Sequence, residues 1–181
     1  MAKIIFLLIV LCSLWKLTGG NAEQPPYAFE EVRTGTSDGV IVPRDRAGEF
    51  YYGSKAQGYF TPLKKDVLKA EGAVVDYIEG HTPQFKGYPY VPDLDKNLAD
   101  YKRQYVGVVI EGKRKIWLNF FCRTDSIDWK RYPYRVFGGG GCYFHVLYDI
   151  DSAAFSELWI NGLDIQIEPA AGNLSGNMTG Q

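Results

Sequence analysis

The stretch that decides the fold runs from Tyr105 to Phe144. It begins Tyr105-Val-Gly-Val-Val-Ile110, turns at Glu111-Gly112-Lys113, and returns as Lys115-Ile-Trp-Leu-Asn-Phe-Phe-Cys122. A polar, glycine-rich loop leads into Cys142-Tyr-Phe-His-Val146. Side chains alternate across a strand, so Ile116, Leu118, Phe120 and Cys122 share one face with Cys142, Phe144, Val146 and Tyr148. Trp117, Asn119 and Phe121 share the opposite face with Tyr143, His145 and Leu147. The stretch therefore predicts a hairpin and a third strand, with two cysteines facing each other across it.

Downstream, Phe155 to Ile160 reads as a further strand. Asn161-Gly162 suits a type I′ turn, and Leu163 to Ile167 alternates well enough to return. Upstream, Thr61-Pro62 has the signature of a helix start, and Leu63, Val67, Ala70, Val74 and Ile78 recur on one helical face up to Gly80. A second, shorter helix is expected from Pro92 to Gln104, with Leu94, Leu98 and Tyr101 on one side and Lys102-Arg103 at its end. Residues 23–60 hold scattered glycines and one convincing strand, Val40 to Val42, stopped by Pro43; they read as an irregular arm. The expected fold is α+β: two helices on a four- to five-stranded antiparallel meander, loosely cystatin-like by analogy of element order. The expected domain is 61–168, followed by a disordered tail at 169–181.

The first 22 residues stand apart. A basic start, an apolar run from Ile4 to Leu11 and small residues at Gly20 and Ala22 form the pattern of a secretory signal peptide. Lipidation at Cys12 is the alternative, disfavoured because Leu11 precedes it where a small residue is needed. Only under that alternative is membrane attachment expected. Of 20 basic side chains, Lys3 and Lys16 lie in this stretch, whereas none of the 21 acidic ones does, so the remainder carries a net charge of about −3. That mild balance, with no basic stripe, excludes nucleic acid as the expected partner. In an oxidising compartment Cys122 and Cys142 are expected to pair. The expected location is periplasmic or secreted.

The segments Tyr101-Lys-Arg-Gln-Tyr-Val-Gly107, Ile116 to Cys122, Gly140-Gly-Cys-Tyr-Phe-His-Val146, Tyr148-Asp149 and Phe155 to Gly162 form a series. It resembles a group of small uncharacterised secreted proteins and lipoproteins of Gram-negative bacteria, over roughly residues 63–162. The group usually has an acid just before its glycines, where this chain has Phe137. The resemblance implies export and a shared fold. It brings no activity with it.

No set of residues spells a catalytic or metal motif. His145 lacks a flanking nucleophile pattern, Asp149-x-Asp151 lacks the glycine and distal glutamate of a calcium loop, and Gly138 to Gly141 opens onto a strand without the following Lys-Ser/Thr of a phosphate cradle. A strand bulge or bend explains those glycines better. What stands out is aromatic content, 15% of the chain. Trp117, Asn119, Tyr143, His145 and Trp159 are the candidate ligand residues, on a face that is either a second core beneath the arm or a ligand groove. The sequence favours the core. A protein, peptide or glycan is the ligand expected of a groove, with no catalytic residue, cofactor or metal. The expected function is a non-enzymatic exported binding protein. The alternative is a small envelope hydrolase or ligand-processing enzyme using His145 with Asp149 or Asn119.

Overall fold

A computed structural model describes residues 29–35, 37–82, 98–162 and 166–167. The N-terminal stretch, the start of the expected second helix and the C-terminal tail lie outside them. The elements in order are β1 (Glu30–Thr34), β2 (Ser37–Val42), α1 (Ala47–Phe50), β3 (Gly58–Phe60), α2 (Lys64–His81), a 3-10 turn (Leu98–Asp100), β4 (Lys102–Ile110), β5 (Lys113–Phe121), β6 (Gly140–Asp149), β7 (Ala154–Asn161) and β8 (Gln166–Ile167). Among the described residues no helix is long and apolar enough to cross a membrane.

The fold is α+β, but the expected four- to five-stranded antiparallel meander is corrected. One open, mixed sheet runs β1-β2-β4-β5-β6-β7-β8, with β3 beside β4. β2 joins β4 in parallel, Val40 opposite Gln104 and Val42 opposite Val106. β3 takes over the same edge of β4 antiparallel, Phe60 opposite Gly107. The arm thus supplies three strands and α1, and the cystatin analogy lapses with it. Val40 to Val42 is the strand expected, yet it is interior because β1 covers its outer side. Gly107 sits at the seam between the two neighbours: a Cβ there would meet the Phe60 carbonyl oxygen at 2.2 Å. Only glycine lets β3 approach.

The expected second helix is also corrected where it is described. Leu98–Asp100 forms a single 3-10 turn, and Lys102-Arg103-Gln104 open β4. Arg103 is not an exposed C-terminal cation. It is buried, 3.0 Å from the Glu71 carboxylate and donating to the carbonyls of Tyr101 and Leu98 at 2.7 and 2.9 Å. Burial raises the Glu71 pKa despite that guanidinium. The long helix is present, although Thr61 does not cap it. The Thr61 hydroxyl instead accepts the Arg44 amide at 2.9 Å.

Val67, Ala70, Val74 and Ile78 of α2 pack on Ile116, Leu118, Phe120, Phe144, Val146 and Tyr148, the face assigned by alternation. Cys122 and Cys142 are disulfide-bonded, with Cα atoms 5.1 Å apart. Across the sheet, Val42, Ala47, Phe50 and Tyr51 from the arm close over Val106, Val108, Trp117 and Leu147. A third cluster joins Val40 and Phe121 to Trp129 and Tyr134 of the β5–β6 connection.

Candidate functional site

On the face opposite α2, the arm covers part of the β5–β6–β7 surface and leaves the rest beside it open as a cavity. Trp117 lies under the arm, 1% exposed, with the Tyr51 ring edge-on at 5.7 Å and Tyr52 at 4.9 Å. Beyond Tyr52 a cavity of about 570 Å³ opens, lined by Trp117, His145, Leu147 and Trp159 below, with Tyr51 to Lys55 and Arg135 to Gly138 at the sides. Its size and aromatic walls are those of small-molecule sites. The face is both a second core and a groove.

Register sets the floor. Trp117 pairs with Leu147, and His145 pairs with Trp159. A register shift follows, because Leu147 pairs with Ser156. The extra residue on β7 is Glu157, in the left-handed region at φ 55°. A bulge of this kind re-aims side chains, and here Glu157 lines the cavity and pairs with Lys55 at 3.1 Å.

The imidazole of His145 sits among three rings, with Trp117 at 5.3 Å, Tyr52 at 5.6 Å and Trp159 at 6.3 Å between centroids. Burial among them lowers its pKa to about 4, so the ring is neutral at pH 7. The Tyr52 hydroxyl lies 3.4 Å from Nδ1, a weak contact in which the neutral ring can accept the phenol proton.

Two of the five sequence candidates have another task. Asn119 is opposite His145 in register, yet it is 5% exposed and its Nδ2 donates to the Tyr134 carbonyl at 3.0 Å. Beside it, Gln104 donates to the carbonyls of Trp129 and Tyr132 at 2.7 and 2.8 Å and accepts the Tyr134 amide at 3.1 Å. Two buried amides therefore grip the loop that carries Arg135 to Gly138. Tyr143 stacks on Tyr134 at 6.1 Å and does the same from β6. Trp117, His145 and Trp159 line the cavity; Asn119 and Tyr143 hold its rim. Gln104 is not legible as a site residue in the sequence, because a lone glutamine at an expected helix end carries no signal.

The rim itself is built by glycines. Gly138, Gly139 and Gly140 have φ values of 89°, 84° and 59°, a path closed to most side chains. Just before them Phe137 stands fully exposed at the mouth, 102% relative to its reference. The Asn161 Nδ2 donates to the Val136 carbonyl at 2.5 Å and ties this loop to β7.

The residues weighed for hydrolysis do not converge. Asp149 Oδ1 accepts the amides of Asp151 and Ser152 at 3.1 and 3.0 Å, which makes Asp149 to Ala153 a turn. His81 ends α2, its Nδ1 2.7 Å from the Tyr77 carbonyl. Among the described residues, no three of His, Cys, Asp and Glu gather as a metal-ligand group. Comparison with protein-family models, curated proteins and solved structures returns no match to this chain.

Proposed function

We propose that this protein is a non-enzymatic binding protein of the bacterial cell envelope, exported through its N-terminal segment, and that its ligand occupies the cavity over His145 and Trp159. The observation that carries the reading is the make-up of that cavity. A neutral imidazole lies among three aromatic rings, while Asp149 and Asn119, the groups that would orient it as a base, are spent on backbone partners elsewhere. Aromatic walls with a few polar groups favour binding by shape and stacking. The disulfide and the apolar run from Ile4 to Leu11 support export.

The indole N–H resonances of Trp117, Trp129 and Trp159 are natural reporters for a survey of small sugars, aromatic fragments and dipeptides by nitrogen-15 NMR. Compounds that bind are expected to shift Trp159 and leave Trp129, in the third cluster, unmoved. A survey that never moves Trp159 overturns the reading. So does a reproducible turnover of any surveyed compound that is lost in His145→Ala.

A further inference from the structure

The cavity is not electrically neutral, and its charge points to a class of ligand. Three charged side chains line it: Lys55, Arg135 and Glu157. Glu157 is matched by Lys55 at 3.1 Å. Arg135 has no carboxylate partner among the described residues. On the arm, Glu49 offers it only a backbone carbonyl, which Arg135 Nη2 contacts closely. The Glu49 carboxylate is engaged by Arg46 at 2.7 Å through both Nε and Nη2.

Arg135 is nevertheless held in place. Its guanidinium carbon lies 5.5 Å from the Tyr52 ring centroid, a cation–π contact on the ring that also borders His145. The loop beneath it is fixed by Gln104 and Asn119. A guanidinium with one N–H spent on a carbonyl and a face spent on a ring keeps donors for a planar anion, and a carboxylate matches that fork in two parallel bonds. His145 is uncharged and offers the ligand a flat ring rather than a second cation. The same arrangement disfavours a quaternary ammonium, which the rings alone would welcome.

We infer that the cavity takes a small carboxylate borne on a ring, its acid group held by Arg135 and its ring laid against Trp159 and His145. This inference rests on the binding function proposed above and adds the chemistry of the ligand. The ring is the source of stacking and the acid the source of selectivity. An aromatic acid and an acidic sugar both present this pair of features, the sugar through the apolar face of its ring.

Two matched pairs of probes test it on the full disulfide-bonded protein: indole-3-acetate against indole-3-acetamide, and methyl glucuronide against methyl glucoside. In at least one pair the acid is expected to bind ten or more times more tightly than its neutral partner. Arg135→Gln should reduce the acid to the level of the neutral compound and leave the neutral compound unchanged. Arg135→Lys should recover part of the difference, since it keeps charge without the fork. Whichever pair discriminates identifies the ring type. Acid and neutral partner binding equally, or Arg135→Gln weakening both alike, overturns the inference and leaves the binding function standing. No probe reaching Trp159 overturns the inference as well, and the wider fragment survey then decides the binding function separately.

Discussion

The imidazole of His145 lies parallel to the indole of Trp159, with 11° between the planes and 6.3 Å between centroids. They are cross-strand partners, next to the bulge that turns Glu157 into the same cavity. β6 and β7 thus place a flat aromatic floor and a charged wall side by side. The three tryptophan and histidine rings of that floor do not have equal structural weight, which separates binding from stability.

Trp117 is buried under Tyr51 and Tyr52, whereas Trp159 is only partly covered. Trp117→Ala should cost roughly 3–5 kcal/mol of stability, in the range for large aromatic truncations in cores. Trp159→Ala should cost less than about 2 kcal/mol, because a partly covered ring loses less buried area. Urea denaturation of the two variants checks the ranking, and an equal loss contradicts it.

Acid should weaken the fold through His145. Its folded-state pKa is lowered to about 4 by burial, against an ordinary value near 6.5. Between those values the unfolded chain binds a proton that the folded one refuses, so stability falls as pH drops through this window. The loss is at most on the order of 3 kcal/mol below pH 4, and less where the cavity wets the ring. Glu71 acts in the opposite sense, since its raised pKa favours the folded state on acidification. Comparing wild type with His145→Gln isolates the histidine. The wild type should lose ground to the variant from pH 7 to pH 4.5, and a constant difference contradicts the assignment.

The disulfide closes the loop that carries the cavity rim. Cys122 and Cys142 are 20 residues apart, a spacing for which the chain-entropy account gives roughly 3 kcal/mol. In a domain of this size that corresponds to a Tm drop of about 6–12 °C for the double Cys→Ser variant. Thermal unfolding followed by circular dichroism measures it. A change under about 2 °C would show that the loop is held without the bond.

The sheet faces were legible because strand alternation is a strict period of two: Ile116, Leu118 and Phe120 meet α2 as the pattern requires. The arm was not. A parallel β2–β4 pair joins residues more than sixty positions apart, and nothing local announces that Val40 will find Gln104. The same gap explains Lys102-Arg103-Gln104: its pattern is that of a helix end, while Glu71 beside Arg103 and the Trp129 carbonyl beside Gln104 come from distant parts of the chain. For the site, composition picked out Trp117, His145 and Trp159, since aromatic residues on one strand face are visible in sequence. The separate duty of Asn119 was hidden, because the carbonyls it binds belong to a loop whose path only the fold reveals.

That loop supplies a further expectation. Asn119→Ala leaves the Tyr134 carbonyl without its buried donor, at roughly 1–3 kcal/mol. The damage should be local first. Amide hydrogen exchange across residues 129–136 should quicken more than exchange in β4 or β5, and uniform protection across all three would contradict the role given to Asn119.

The central claim is that the His145 and Trp159 face is a ligand site. Intermolecular NOEs from a bound ring compound, taken from the fragment survey, test it most directly. The account predicts contacts from the compound to the ring protons of both Trp159 and His145, lost in Trp159→Ala while the protein stays folded. Contacts confined to Trp129 or Tyr132, or binding that survives Trp159→Ala unchanged, would contradict it.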